Sequence, residues 1–348
     1  MDLPTNEMNT MDQMDLAVVG AGPCGIAVGA AAREAGLSAV LFDEGCVANS
    51  IVNYPFYMRF FSTADRLEVG GVPFAIPEKN PSRREALVYY RRVVQHFALD
   101  VRQFERVEAI TGQEGAFLLR TRKMSGREGA YEARRIVMAT GGFHAPNLLG
   151  VPGEDLPKVH HFYKEAHPFF NQDVLVVGGS NSAVEASLEL FRAGARVTLV
   201  HFLDSLDRGV KPWVLPDITN RLQQGDMGVY WNHRVAEITP EVVKLRKEGT
   251  GETVEIPNDW VLAMTGWRSD PVLLMELGVT VDEATGVPTH DPETMETDVP
   301  GVFIAGVLAA GNDANRIFIE NGRAHGGLIV GALTRGERPQ PAPSGSRA

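Results

Sequence analysis

A glycine-rich turn near the N-terminus is the feature that most constrains how this chain can fold. Residues Ala17–Gly25 predict a short buried strand that runs into Gly-Ala-Gly-Pro-Cys-Gly, followed by a helix rich in small residues. In such a turn Gly20 permits the tight bend, Gly22 lets the backbone approach a pyrophosphate, and Gly25 lets helix and strand pack closely. The helix N-terminus directs N–H groups and its positive dipole end at the phosphates. The stretch therefore predicts a dinucleotide-binding βαβ unit.

An acidic residue at the end of the next strand supports this assignment. Leu37–Phe42 is a second short apolar strand, and Asp43-Glu44-Gly45 closes it. An acid at this distance from the glycine turn is placed to hydrogen-bond the ribose of a dinucleotide. We expect Asp43 in this role, with Glu44 as the second candidate. A solvated turn is the alternative, in which neither residue binds a ligand.

The second half of the chain repeats the pattern. Asp173–Val177 predicts a strand, Gly178-Gly179-Ser180-Asn181-Ser182 a second turn, and Arg196–His201 the strand that completes another βαβ unit. In each half a buried strand also ends in Thr-Gly, at Thr140-Gly141 and at Thr265-Gly266. The internal repeat predicts an α/β fold with two Rossmann-like dinucleotide-binding domains.

The order of these units predicts that the first domain is discontinuous. A C-terminal strand ending at Ala305-Gly306 and a helix from about Arg316 to Leu333 have to pack on a core, and the first domain is the economical choice. We expect a first domain of residues 14–155 and 295–335, with residues 156–294 inserted as the second domain. Residues 1–13 and 336–348 are expected to be flexible tails.

Composition limits the possible partners. The 33 basic and 44 acidic residues give a formal net charge of -11, which disfavours nucleic acid and anionic membranes. No apolar stretch is long enough to span a bilayer, and the N-terminal residues lack a signal-peptide pattern. Two cysteines exclude a disulfide framework and suit a reducing cytosol. We expect a cytoplasmic homo-oligomer, a dimer or tetramer, that acts on a small molecule and contains no metal site.

Taken together, these features resemble the thioredoxin-reductase-like flavoproteins, which carry two dinucleotide-binding domains. The resemblance covers residues 14 to 333 and includes Asn53-Tyr54-Pro55, a triplet that runs beside the flavin in that group. It implies that the first glycine turn binds FAD and the second binds NADPH. Thioredoxin reductases place Cys-x-x-Cys before the second turn, whereas this chain has Tyr163 and Ala166 at those positions. The chain is therefore not expected to be a thioredoxin reductase.

A narrower resemblance is to the YpdA-type bacillithiol-disulfide reductases, which lack Cys-x-x-Cys. It rests on Gly-Pro-Cys-Gly in the first turn and on the segments Asn49–Pro55 with Phe60–Thr63, Lys211–Pro216 and Ile317–Arg323. It implies an oxidoreductase in which NADPH reduces FAD, and FAD reduces a low-molecular-weight disulfide, bacillithiol disulfide. The expected FAD contacts, beyond those already given, are Pro23, Cys24, Ser50, Asn53, Tyr54, Thr140, Gly141, Gly306, Asp313, Ile317 and Phe318.

Cys24 is the candidate redox thiol. The cysteine of the first turn is the redox candidate in that family, and it would attack the disulfide and hold one half as a mixed disulfide. Its position at a helix N-terminus lowers a thiol pKa, whereas a neighbouring pyrophosphate raises it. The alternative is a small residue that fills the contact between helix and strand. Cys46, just past Asp43, is expected to lie towards the adenosine end and to be inert.

The choice of nicotinamide cofactor depends on the end of the strand Arg196–His201. No acid stands at its tip, which disfavours NADH, but Phe202 occupies the position where relatives tend to have Arg. His201, Arg208 and Lys211 are the candidates to replace that arginine, so NADPH is favoured. The other expected NADPH contacts are Gly178, Gly179, Ser180, Asn181, Ser182, Glu185, Thr265 and Gly266. For Glu185, a solvated helix acid is an equal alternative.

Two other functions stay open. One is a reductase of ferredoxin or flavodoxin, which a two-domain flavoprotein without a dithiol can serve, although the net charge of -11 opposes an acidic carrier. The other is a non-catalytic FAD- and NADPH-binding redox sensor in which Cys24 is only modified.

Overall fold

A computed structural model describes residues 13–142, 145–313 and 316–336 of the chain. The two predicted tails lie outside these residues, apart from Gln13 and Gly336. The chain divides into two compact units: unit 1 contains residues up to 52, residues 59–144 and residues from 269 onward, and unit 2 contains residues 53–58 and 145–268. Across the described residues, no helix combines the length and the apolar character that a bilayer crossing requires.

Strands and helices alternate in the βαβ segments, whereas the described residues of 100–177 and of 228–268 form successive strands without an intervening α-helix. In chain order the strands are β1 (Met14–Val19), β2 (Ala39–Asp43), β3 (Asp100–Gln103), β4 (Glu105–Gln113), β5 (Ala116–Lys123), β6 (Glu128–Met138), β7 (Ala145–Pro146), β8 (Val159–His160), β9 (Asp173–Val177), β10 (Arg196–His201), β11 (Gly228–Trp231), β12 (His233–Ile238), β13 (Val242–Lys247), β14 (Thr253–Pro257), β15 (Trp260–Ala263), β16 (Trp267–Arg268) and β17 (Val302–Ile304). The helices are α1 (Pro23–Glu34), α2 (Asn49–Val52), α3 (Arg83–His96), α4 (Asn181–Arg192), α5 (Leu215–Gln224), α6 (Val272–Glu276), α7 (Ile319–Gly322) and α8 (His325–Gly336).

Unit 1 is built on a mixed sheet in the order β3-β2-β1-β6-β5-β4, and β17 also pairs with β6. β1 lies parallel to both β2 and β6, the arrangement of a doubly wound dinucleotide fold. β4, β5 and β6 are antiparallel, as the alternation over residues 107–135 predicts. β6 is a single strand from Glu128 to Met138. Its first half pairs with β5 and its second half with β17, so one strand joins the meander to the parallel sheet.

Helix α1 lies in the core of unit 1, where small residues let other backbone segments approach it. A Cβ on Gly326 of α8 would lie 2.5 Å from the carbonyl oxygen of Ala27, so the two helices are in backbone contact. Helix α3 begins at Arg83 and ends at His96. Its N-terminus is a capping box, in which the N–H of Ser82 donates to Glu85 Oε2 at 2.8 Å and Ser82 Oγ accepts from the N–H of Glu85 at 3.3 Å.

The predicted C-terminal helix from Arg316 to Leu333 is wrong, because the chain forms two helices there. α7 ends at Gly322 and α8 begins at His325. Between them, the Arg323 guanidinium donates to the carbonyl oxygens of Asp65 at 3.1 Å and Glu68 at 2.5 Å. This anchor to a distant segment fixes the turn, and nothing in the local sequence reveals it.

Unit 2 contains a parallel sheet in the order β11-β10-β9-β15-β8, a three-stranded antiparallel sheet of β12, β13 and β14, and a small pairing of β7 with β16. β9 and β10 have the bounds that the sequence predicts. Tyr163 and Ala166, which stand where a thioredoxin reductase has its dithiol, are buried in the core of this unit.

The boundaries of the two units differ from the predicted domain boundaries of 155/156 and 294/295. Residues 145–155 belong to unit 2, because Leu149 and Val151 pack against its core beside Val235 and Ile238. Residues 269–294 belong to unit 1, because α6 contacts β4 and the N–H of Asn312 donates to the carbonyl of Thr285 at 2.8 Å.

Candidate dinucleotide sites

The first glycine turn is packed on one side and open on the other. Gly20 has φ +113°, and a Cβ there would lie 2.3 Å from the carbonyl oxygen of Ala139. A Cβ on Gly25 would lie 2.0 Å from the carbonyl oxygen of Gly20. Gly22, by contrast, would place its Cβ where, apart from its chain neighbours and its own helix, no atom of the described residues lies within 4 Å. The turn is therefore forced into shape by its own backbone, while its Gly22 side is clear for a ligand.

The polar groups around this turn fit a bound pyrophosphate. Gly22 is the N-cap of α1, so no side chain caps the helix, and its first turn contains no acid. Its leading N–H groups and positive dipole end are thus available to an anion. The hydroxyl oxygen of Thr140 is buried without a hydrogen-bond partner among the described residues, although buried polar atoms usually have one. An FAD pyrophosphate and ribityl chain would satisfy both features.

Asp43 braces the glycine turn. Its two carboxylate oxygens accept hydrogen bonds from the N–H groups of Ala21 and Gly45, each at 2.8 Å. Burial raises the pKa of Asp43, and these two N–H donors oppose that rise. Each carboxylate oxygen keeps a second lone pair, so the ribose contact stays a prediction. Glu44 is exposed, and its Oε2 lies 3.7 Å from Arg106 Nε.

Cys24 lies in the first turn of α1, beneath the C-terminal segment of unit 1. A Cβ on Gly306 or on Gly322 would lie 2.9 Å from the Cys24 sulfur, so both backbone segments pack on the thiol. Burial raises the pKa of Cys24 to about 12, although the residue keeps some solvent exposure. Near neutral pH only roughly one such thiol in 10⁴–10⁵ is a thiolate, the nucleophilic form. Burial first, and Asp43 second, also raise the pKa of Cys46.

The C-terminal segment of unit 1 holds Gly306 in place through a histidine. The N–H of Gly306 donates to His325 Nδ1 at 3.1 Å. Burial, with a smaller contribution from His290, lowers the pKa of His325, so the ring stays neutral and its Nδ1 can accept. Asp313 is exposed. Ile317 and Phe318 precede α7, and the N–H of Phe318 donates to Asn321 Oδ1 at 2.7 Å, which makes this amide a poor candidate for a ligand.

The segment of residues 49–63, which contains α2 and several aromatic residues, makes separate hydrogen bonds within each unit. In unit 1, Arg83 donates to the carbonyl oxygens of Ile51 at 3.0 Å and Val52 at 2.7 Å, which caps the end of the helix that contains Ser50. In unit 2, Lys164 Nζ donates to the carbonyl oxygen of Asn53 at 2.9 Å. Among the aromatic side chains Phe60 is buried, whereas Phe56, Tyr57 and Phe61 are exposed. The stretch is therefore neither wholly core nor wholly surface. Tyr54 follows Asn53 directly.

The second glycine turn repeats the geometry of the first. Gly178 has φ +139°, and a Cβ there would lie 2.4 Å from the carbonyl oxygen of Met264. Ser180 is the N-cap of α4, makes no side-chain cap bond, and precedes a first turn without acids, so this helix end also suits an anion. Asn181 Nδ2 donates to the Gly209 carbonyl at 3.0 Å, and its Oδ1 accepts from the N–H of Lys211 at 2.9 Å. Ser182 follows in the same helix.

The other predicted NADPH residues are distributed around this turn. His201 is 3% exposed, and its ring occupies the space that a Cβ on Gly179 would need, at 2.5 Å. Lys211 Nζ pairs with Glu185 Oε1 at 2.6 Å, and Arg208 is exposed. Thr265 Oγ1 donates to the Asn147 carbonyl at 2.5 Å, and the Gly266 carbonyl accepts from the Asn147 N–H at 3.0 Å.

The sequence did not draw attention to Arg234, whose guanidinium carbon lies 4.4 Å from the centroid of the Phe202 ring. Phe202 follows directly on the last residue of β10, and Arg234 is on β12. An aromatic residue directly after β10 is the signal that could have drawn attention to a nearby cation.

Comparison with known proteins identifies the family. The family model described as pyridine nucleotide-disulphide oxidoreductase matches residues 17–306. This chain belongs to that family. The chain is thus an oxidoreductase with a thioredoxin-reductase-like fold, and the predicted fold class and enzyme class are confirmed.

Individual relatives match over nearly their whole length. Bacilliredoxin reductase Bdr of Bacillus subtilis (strain 168) is 43% identical over 328 residues, which cover 94% of this chain and 99% of the relative. The structure of bacillithiol disulfide reductase Bdr (YpdA) from Bacillus cereus superposes with a TM-score of 0.91 at 41% identity, covering 94% of this chain and all of the other. The Staphylococcus aureus enzyme of the same name gives a TM-score of 0.88 at 40% identity, with the same coverage. The predicted resemblance to YpdA-type proteins is confirmed.

Proposed function

We propose that this protein uses FAD and NADPH to reduce a low-molecular-weight disulfide, bacillithiol disulfide. The observation that carries the proposal is the pair of glycine turns, each before an uncapped helix N-terminus, in a chain with Tyr163 and Ala166 where a dithiol would be. A chain without a dithiol suits a small disulfide better than a dithiol relay to a protein. Relatives named bacillithiol disulfide reductase support this substrate.

The first turn would hold FAD. The N–H groups of α1 would bind the pyrophosphate, Gly22 would give it room, and Asp43 would accept from the adenosine ribose. Thr140 would donate its hydroxyl proton to the cofactor. When bound, FAD supplies the two-electron transfer from the nicotinamide to the disulfide. In the overall reaction, NADPH gives a hydride and solvent gives a proton, the S–S bond breaks, and two thiols leave.

The second turn would hold NADPH. The N–H groups of α4 would bind its pyrophosphate at the helix N-terminus that Ser180 leaves uncapped. We also propose a cytoplasmic location. We further propose a homo-oligomeric state, and light scattering coupled to size-exclusion chromatography would measure the number of subunits.

Anaerobic mixing with NADPH tests this function. We expect NADPH to bleach the flavin absorbance near 450 nm, and bacillithiol disulfide to restore it at least about tenfold faster than oxidised ferredoxin or glutathione disulfide does. Absence of bleaching would instead indicate the redox sensor. Faster reoxidation by ferredoxin would indicate a carrier reductase, which the net charge of -11 disfavours.

Cys24→Ala tests whether a protein thiol takes part. Since the thiol pKa is raised to about 12 and two glycine segments pack on the sulfur, we propose a packing role for Cys24. The variant is therefore expected to retain flavin reduction and to reduce bacillithiol disulfide within about threefold of the wild-type rate. Cys46→Ala serves as the matched control. A loss of about 100-fold or more in disulfide turnover, with flavin reduction intact, would make Cys24 the nucleophile.

A further inference from the structure

An arginine stacks on the aromatic residue at the ligand-facing end of β10. The Arg234 guanidinium carbon lies 4.4 Å from the Phe202 ring centroid, within the range of a cation–π contact. In an open parallel sheet, ligands bind outside the carboxyl ends of the strands, and Phe202 directly follows the carboxyl end of β10. The residue after this strand is where a dinucleotide fold distinguishes a ribose 2′-hydroxyl from a 2′-phosphate. Arg234 therefore brings a cation to that position from another strand.

A second arginine stands opposite the first. In the register of β12 and β13, Arg234 pairs with Arg246, and both are exposed on the face away from the buried pair Val235 and Leu245. Like charges directly opposite each other destabilise a sheet, so folding alone does not favour this pair. Glu248 Oε1 lies 2.9 Å from Arg234 Nε and offsets part of the charge, whereas Arg246 has no ion-pair partner within the described chain. The pair favours an anionic ligand.

The sequence-predicted cations are less suited to that ligand. His201 is buried against Gly179, with its Nε2 3.3 Å from Asp207 Oδ1. Lys211 is engaged with Glu185. The ion pair of Arg234 uses Nε, and a guanidinium carries further N–H donors in a planar fork that matches phosphate oxygens. Stacking on Phe202 restricts the orientation of that fork.

We propose that Arg234, positioned by Phe202 and supported by Arg246, binds the 2′-phosphate of NADPH. This assignment rests on the proposed use of NADPH and names the residue that selects it over NADH.

Calorimetric titration of the flavin-loaded protein with 2′,5′-ADP and with 5′-AMP tests the assignment without turnover. Wild type is expected to bind 2′,5′-ADP more tightly than 5′-AMP. Arg234→Met should weaken 2′,5′-ADP binding by about 10- to 100-fold, the usual range for a lost charge-assisted hydrogen bond, and leave 5′-AMP within about twofold. Arg234→Lys keeps the charge but loses the planar fork, so its affinity for 2′,5′-ADP should lie between those of wild type and Arg234→Met. Circular dichroism confirms folding of each variant.

Arg221→Met is the matched control. Arg221 lies on α5 of the same unit, its guanidinium carbon is 5.2 Å from the Phe191 centroid, and it pairs with Asp226 at 3.0 Å. Its replacement removes the same charge and the same kind of stack and should leave both titrations unchanged. The assignment is overturned if Arg234→Met and Arg234→Lys keep the wild-type ratio of 2′,5′-ADP affinity to 5′-AMP affinity. It is also overturned if Arg208→Ala is the variant that loses this ratio and the Arg234 variants keep it. Equal affinity of wild type for the two nucleotides overturns the NADPH preference itself, while flavin bleaching by NADH would still support the reductase.

Discussion

Gly22→Ala is expected to yield a folded protein that no longer retains flavin. Apart from its chain neighbours and its own helix, the new methyl group would meet no atom of the described residues within 4 Å, and the backbone of Gly22, at φ -73°, accepts alanine. The methyl would instead occupy the space through which a pyrophosphate approaches the N–H groups of α1. We expect flavin affinity to fall by about 100-fold or more. The loss in unfolding free energy should stay under about 1 kcal/mol, because only a glycine N-cap is replaced.

The ratio of flavin to protein absorbance in the purified protein, together with thermal unfolding of the flavin-free form, measures both effects. Gly327→Ala is the matched control, because that position also has open space around its Cβ and lies within α8 of the same unit. It should keep its flavin and gain up to about 1 kcal/mol, as glycine-to-alanine changes inside helices do. Full flavin content in Gly22→Ala would exclude the assignment of this turn to the pyrophosphate.

Gly25→Ala is expected to prevent unit 1 from folding. A Cβ at this position would lie 2.0 Å from the Gly20 carbonyl oxygen and 3.0 Å from the Gly20 carbonyl carbon, and both are backbone atoms that cannot rotate away. Relief requires α1 to move off β1, which opens the core around a helix whose neighbours are in backbone contact. We expect a loss of more than about 4 kcal/mol, observed as insoluble protein or a strongly lowered melting temperature.

Gly29→Ala, one turn further along α1, separates this effect from a general intolerance of side chains on the helix. Its Cβ would meet the methyl groups of Leu41 at 2.9 Å and Leu99 at 3.2 Å, which are the ends of flexible side chains. A cost of about 1–3 kcal/mol is typical of such overpacking. Equal stability of the Gly25 and Gly29 variants would show that the short distance at Gly25 is relieved locally.

The sequence signals for β9 and for both glycine turns lie within short stretches of the chain, so these elements could be predicted. Residues 174–177 of β9 form the continuous apolar run that a strand buried on both faces requires, whereas β10 also contains Arg196, Thr198 and His201.

The glycines of the two turns are required by contacts that the sequence does not show. Gly20 is required by the carbonyl oxygen of Ala139, which is far away in the chain. Gly178 is likewise required by the distant carbonyl oxygen of Met264, and Gly25 is required by that of Gly20. The repeated strand, turn and helix pattern therefore indicated the fold class before these contacts were known.

The features that the sequence could not predict depend on residues far apart in the chain. The break between α7 and α8 is fixed by carbonyl groups at Asp65 and Glu68, and residues 53–58 join unit 2 through Lys164. Asp43, in the candidate site, is another example of a contact that the sequence could not predict. Its position predicted a ligand contact, and the bonds to Ala21 and Gly45 that shape the turn became visible only with the fold.

The side chains at positions 179 and 201 compete for the same space, because the His201 ring packs against Gly179. The imidazole fills the space that any side chain at 179 would need, so the smallest residue and a large ring complement each other. A larger residue at 179 is then tolerated only together with a smaller one at 201. For engineering, this couples the second glycine turn to the end of β10. If the second glycine turn were replaced by that of a homologue while the end of β10 stayed unchanged, either a steric overlap or a void would result.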